Sequence, residues 1–150
     1  MKDKTPRKKA GSAPLKKSVA VSCHPRHLGA VRELVFKMWH SARLPLKKGR
    51  LAVLAVDEAL SAIIRHARGM KRPGEIEVNI EINPACFKAT IRDHTNIMDL
   101  NHLSDQETKY TLQQERSYQL GLFLIATIMD EVSYTYKKGF ENELKLVYFI

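Results

Sequence analysis

Cysteine is scarce: only Cys23 and Cys86 occur, so the chain cannot by itself build a disulfide framework or a four-cysteine zinc site. Both are expected to be reduced. Long apolar runs are also lacking. The longest nearly apolar stretch, Leu120 to Met129, is about half the roughly 20 residues that a membrane-spanning helix requires. The N-terminus carries charge but no apolar segment of the signal-peptide kind. A cytoplasmic protein without membrane contact is the expectation. Acidic residues are in deficit, 16 against 25 Lys and Arg, a net charge of +9. What the 150 residues do contain is 44% hydrophobic and 27% charged side chains, enough apolar mass for one soluble domain with a real core.

The positive charge is unevenly placed. Met1 to Lys17 holds seven basic residues against Asp3 alone, a net of +6, which leaves +3 for the remaining 133 residues. That segment also holds Pro6, Gly11, Ser12 and Pro14 and almost no large apolar side chain, so residues 1–17 are expected to be a disordered basic tail. Its simplest role is solubility; contact with nucleic acid or an acidic partner is the alternative. Residues 18–150 are the expected folded domain.

Within that body, Ser18 to Ser22 alternates as a short strand, and Pro25 permits a helix start. Leu28, Val31, Leu34, Val35, Met38 and Trp39 follow at helical spacing and stop before Pro45. A second helix, Lys48 to Arg68, is apolar on nearly every side and so is expected to be buried, yet it contains Glu58 and His66 on one face. Glu75 to Asn83 alternates strictly, and Cys86 to Asp93 reads as its hairpin partner. His94 to Tyr118 is polar and lacks sustained periodicity, the mark of a functional loop. Gly121 to Met129 returns to helix, with Phe123, like Trp39, assigned to the core. Val132 to Tyr136 and Leu144 to Phe149 are two strands joined by the turn from Lys138 to Asn142. The order β-α-α-β-β-loop-α-β-β predicts an α/β (α+β) two-layer sandwich, a mostly antiparallel mixed sheet with helices on one face.

Three separated segments carry the chemistry: Ala55-Val56-Asp57-Glu58-Ala59-Leu60-Ser61-Ala62-Ile63-Ile64-Arg65-His66, Ile91-Arg92-Asp93-His94-Thr95-Asn96-Ile97, and Leu120-Gly121-Leu122-Phe123-Leu124-Ile125 followed by Met129-Asp130-Glu131-Val132. In order and spacing they resemble the N-box, G1-box and G2-box of the GHKL (histidine-kinase-like) ATPase superfamily, in particular the bacterial anti-sigma factor serine kinases. The resemblance covers Ser18 to Phe149 and implies the Bergerat-type ATPase fold. It makes Glu58 the general base, places Asp93 on the adenine amino group, and sets Gly121 and Leu122 beside the phosphates at a helix N-terminus. Arg32 takes the position of an arginine that contacts the sigma factor or its antagonist. The implied cofactors are ATP and magnesium. The implied partners are a sigma factor and a STAS-domain anti-anti-sigma factor, with a homodimer left open.

The boxes also depart from the family pattern. Ala62 stands where the magnesium-binding asparagine belongs, and a methyl group cannot ligate a hard cation. Thr95, Ile97 and Gln119 replace glycines that let the backbone approach the ligand. ATP binding and serine kinase activity are therefore expected to be weakened or lost, leaving a regulator of transcription that works by protein contact. The alternatives are an active serine kinase with a rearranged metal site and a basic nucleic-acid-binding protein.

Simpler roles stand beside each candidate. Glu58 is alternatively a buried carboxylate paired with Arg65, His66 or Arg92, and Asp93 a turn former. His66 is expected to be a hydrogen-bonded core histidine, and Arg32 alternatively a helix arginine paired with Glu33 or another surface acid. Cys23-His24-x-x-His27 has part of a metal-ligand spacing but no clear fourth ligand.

Overall fold

A segment that alternates as strictly as Glu75 to Ile82 can bury one side only if it is extended. In the computed structural model, which describes residues 13–68, 70–95, 112–135 and 141–150, every second residue of that segment is buried. The elements in chain order are β1 (Leu15–Ser22), a 3-10 turn (Pro25–His27), α1 (Leu28–Ser41), α2 (Leu46–Ala67), β2 (Glu75–Ile82), β3 (Cys86–Asp93), α3 (Leu112–Ile128), β4 (Glu131–Thr135) and β5 (Asn142–Phe149).

The strands form one sheet in the order β1-β2-β3-β5-β4, and each neighbouring pair is antiparallel. This is the expected two-layer α/β sandwich with a mostly antiparallel sheet, and all four pairings between neighbouring strands are in fact antiparallel. Two helices between β1 and β2 return the chain to the end of the sheet where β1 finished, so β2 runs back along it. Strand β4 has the direction of β3, but β5 lies between them. One row of the core face crosses all five strands through Val19, Val78, Ile91, Leu144 and Tyr134.

The helices cover that face, with α2 packed between α1 and α3. From α1 come the buried residues Val31, Val35, Met38 and Trp39, at helical spacing. Trp39 has 0% of its surface exposed, packs against Phe87 and Tyr148 with ring centroids 5.8 and 6.2 Å away, and donates its indole N–H to the Pro45 carbonyl at 2.9 Å. The opposite face of the sheet is polar. There Arg92 bonds Glu143 at 2.8 Å and Glu77 at 3.1 Å, and Ser18 donates to Asn79 across the β1–β2 pair.

Several boundaries differ from expectation. Strand β1 begins at Leu15 rather than Ser18, because β2 extends to Ile82 and offers ladder partners to Leu15, Lys16 and Lys17. Those three residues therefore belong to the sheet and not to a tail; residues 1–12 lie outside the described part. Helix α3 starts at Leu112, nine residues before the expected Gly121, and takes in the end of the expected polar loop. Residues 96–111 of that loop and 136–140 of the last turn lie outside the described residues. Phe123 is a surface residue, 65% exposed, because α3 turns Gly121 and Ile125 inward and leaves Phe123 well around the helix. Helix α2 likewise keeps an outer side, with Leu54 39% exposed.

Candidate functional site

Glu58 projects from the middle of α2 toward α3 and is half-buried. Its Oε2 lies 3.2 Å from the point that a Cβ on Gly121 would occupy, so the glycine makes room for the carboxylate. The structure thus brings together one residue of the N-box and one of the G2-box. Among the described residues Glu58 forms no ion pair with Arg65 or Arg92; Arg92 is committed to Glu77 and Glu143 on the far face of the sheet.

One helical turn after Glu58, Ala62 is 7% exposed and presents only carbon. Among the described residues no group of three or more His, Cys, Asp or Glu side chains could hold a metal ion. The donor set here does not fit magnesium, which requires oxygen ligands. The phosphate end does not fit either. A phosphate needs the unpaired N–H groups of the first helical turn, and Gly121 and Leu122 are the tenth and eleventh residues of α3. Their N–H groups sit in the helix interior, where the bond goes to the carbonyl four residues back. The expected helix N-terminus at Gly121 is therefore corrected to a helix interior, with Leu122 half-buried. The polar segment before Gly121 continues the helix because Gln, Glu and Arg are good helix formers even without an apolar period. The side chain of Gln119 and all of Ile97 lie outside the described residues.

Asp93 ends β3 beside Asn142 of β5, and both are buried, 2% and 0% exposed. Its Oδ1 accepts two hydrogen bonds from Thr95, from the backbone N–H at 2.7 Å and from the hydroxyl at 2.6 Å. Thr95 is itself 2% exposed. Asp93 thus does what a turn former does, with Oδ1 satisfied from within the chain. Gly74, at φ +73°, lies close by: a Cβ there would meet the His94 ring at 3.1 Å, and the Gly74 carbonyl accepts from the Cys23 thiol at 3.5 Å.

Burial first, and then the charge of Asp93, push the Cys23 thiol above its ordinary value. A raised pKa means less thiolate at neutral pH, so Cys23 is expected to alkylate more slowly than an unhindered thiol. Replacing Asp93 by Asn removes one of the two causes and should speed the reaction. Iodoacetamide rates measured against pH in a Cys86→Ser background check both statements. A Cys23 rate equal to that of a small-molecule thiol at pH 7 contradicts them.

The Cys23-His24-x-x-His27 segment is organised as a helix start. His24 Nδ1 accepts from the Arg26 N–H at 3.1 Å, and His27 Nε2 lies 2.8 Å from the Ser22 hydroxyl. Arg32, half-exposed on α1, reaches Asp57 of α2 at 3.4 Å, whereas Glu33 pairs with Lys37. That Asp57 is the surface acid involved was not readable locally, since the two residues lie 25 positions apart. A trough of about 400 Å³, lined in part by Lys16, Ser18, Asn79, Lys88 and Thr90, lies on the polar face of the sheet, away from Glu58 and Asp93.

Comparison with known proteins agrees with this arrangement. The family model described as a histidine kinase-like ATPase domain matches residues 21–148. The serine-protein kinases RsbW of Listeria innocua and of Listeria monocytogenes are each 30% identical to the chain over 90 residues. The match takes in 57% of this chain and 57% of each of those proteins, little more than half the length of these curated relatives. No helix among the described residues is long and apolar enough to cross a membrane. With the N-, G1- and G2-type segments in order on an antiparallel five-stranded sheet, and the family model matching nearly all of the described body, the chain belongs to the histidine kinase-like ATPase domain family.

Proposed function

We propose that this chain is an anti-sigma-factor-type regulator that acts by holding a sigma factor, a STAS-domain anti-anti-sigma factor, or both, with ATP binding and serine kinase activity weakened or lost. The observation that carries this reading is the pair of misfits at the nucleotide end: a buried Ala62 where a magnesium ligand is needed, and Gly121 and Leu122 in the interior of α3 where phosphate needs free N–H groups. Chemistry on ATP requires that end of the site; capture of a protein requires only a surface. The similarity to the RsbW kinases supports the choice of partner class.

The surface assigned to capture is centred on Arg32. Its pair with Asp57 is long, at 3.4 Å, and the Arg32 side chain is 50% exposed. An exposed pair of this kind contributes about 0 to 1 kcal/mol, so an incoming partner carboxylate can take over the guanidinium at little cost. A bidentate, desolvated pair with that carboxylate is worth far more, and truncating one partner typically costs about 2 to 5 kcal/mol.

Arg32→Ala is therefore expected to leave the unfolding midpoint nearly unchanged and to weaken binding by about 30-fold or more, the equivalent of at least roughly 2 kcal/mol. Pairwise titration of the purified chain with sigma factors and STAS proteins from the same cell provides the measurement. Full affinity in the variant removes Arg32 from the interface, and binding to none of these proteins overturns the partner class. Transfer of phosphate from ATP to a STAS serine would establish instead the active kinase with a rearranged metal site.

A further inference from the structure

We infer that Thr95 restricts the base end of the site: its N–H and hydroxyl take up Oδ1 of Asp93, one of the two carboxylate oxygens that an adenine amino group could use. This rests on reading Asp93 as the base end of an ATPase-type pocket, and it explains why that end is restricted independently of the phosphate end.

Two sets of donors compete for Asp93. The exocyclic amino group of adenine donates hydrogen bonds, and so do the N–H and hydroxyl of Thr95. Both Thr95 groups already point at one oxygen, Asp93 Oδ1, at 2.7 and 2.6 Å. A carboxylate oxygen offers two lone pairs, so Oδ1 is fully used and an adenine amino group is left with Oδ2 alone. The remaining approach is narrow, because Asp93 and Thr95 each keep 2% of their surface, and the Cys23 thiol and the His94 ring both close on Gly74 nearby. The Thr95 hydroxyl also has an entropic advantage. It sits two residues along the same chain, so making its bond immobilises nothing that the fold has not already ordered, whereas a free base must lose its own translational freedom to replace it.

Glycine at position 95 keeps the backbone N–H bond and deletes only the hydroxyl and its methyl. It therefore frees one lone pair of Oδ1 and opens space beside it. Serine keeps the hydroxyl and loses only the methyl, so it separates the hydrogen bond from simple bulk.

The test is calorimetric titration with adenosine, which has no phosphates and so does not depend on α3 or magnesium, using guanosine as the control base. Thr95→Gly is expected to bind adenosine at least ten-fold more tightly than the wild-type chain, with no matching gain for guanosine, and Thr95→Ser to behave as wild type. Far-UV circular dichroism establishes that each variant is folded; if the glycine variant is not, Thr95→Ala, which also lacks the hydroxyl, carries the same expectation. Equal adenosine affinity in the wild type and the hydroxyl-free variants, whether measurable or undetectable, overturns the assignment. A gain in Thr95→Ser as large as in Thr95→Gly also overturns it, since bulk rather than the hydrogen bond would then be responsible. These outcomes are separable from failure of the regulator reading, which is decided on the wild-type chain by magnesium-ATP binding and by titration with sigma factors and STAS proteins.

Discussion

Trp39→Ala is expected to lower the unfolding free energy by about 3 to 5 kcal/mol, the usual range for deleting a large buried aromatic. For a domain of this size that is a large share of the roughly 5 to 15 kcal/mol available, enough to leave a measurable unfolded fraction at 37 °C. The indole is fully buried between α1 and the sheet, with Phe87 and Tyr148 against its ring, and its N–H is satisfied by Pro45. Alanine removes all of these contacts and leaves the Pro45 carbonyl without that donor.

The neighbour that makes this packing possible is Gly49, on the first turn of α2. A Cβ there would lie 2.6 Å from Trp39 Cδ1 and 2.8 Å from Nε1, closer than real Cβ atoms approach. Alanine improves helix propensity by about 1 kcal/mol, but overpacking a rigid ring typically costs about 1 to 3 kcal/mol. Gly49→Ala is thus destabilising beside Trp39 and neutral or stabilising in the Trp39→Ala background. Urea denaturation of the four chains of this double-mutant cycle checks both signs. Additive effects would contradict the contact.

The second large effect is at Asp93. Asp93→Ala leaves two buried donors, the Thr95 N–H and hydroxyl, without their acceptor, and an orphaned buried polar group costs about 1 to 3 kcal/mol. The expected loss is about 2 to 4 kcal/mol, tempered by relief of a buried carboxylate. Asp93→Asn retains an acceptor oxygen and should cost about 1 kcal/mol, since a neutral acceptor is weaker than a charged one. Denaturant midpoints read the series. If alanine costs no more than asparagine, the hydrogen bonds to Thr95 contribute little and Asp93 does not hold the turn after β3.

What could be read from the chain follows from how local each cause is. Cys86 to Asp93 matches β3 to the residue, because alternation and the end at Asp93 are both local signals. Trp39 and its companions on α1 are equally legible, since burial follows the helical period. The start of α3 was not, because Gln113 to Ser117 carry helix propensity without the apolar period that marks a buried face. Phe123 fails for the opposite reason. Its segment is apolar nearly all round, and the side that turns inward is the one on which Gly121 meets Glu58 and Ile125 enters the core. Lys16 and Lys17 read as tail because charge dominates them, yet both stay exposed on the edge strand β1, one toward each face, and β2 provides the ladder. At the site, the N-, G1- and G2-type segments were legible as spacing. The bond of Thr95 to Asp93 and the pairing of Arg32 with Asp57 arise from folded geometry that no window of the sequence contains.

The claim on which the rest depends is that the domain has kept its fold and lost its capacity for magnesium-ATP. Isothermal titration of the wild-type chain with ATP, with magnesium and with the metal chelated, tests it most directly. The account predicts binding that is weak or undetectable and the same in both conditions, since Ala62 offers no ligand oxygen and the N–H groups at Gly121 and Leu122 lie within α3. Micromolar ATP affinity that depends on magnesium would contradict it.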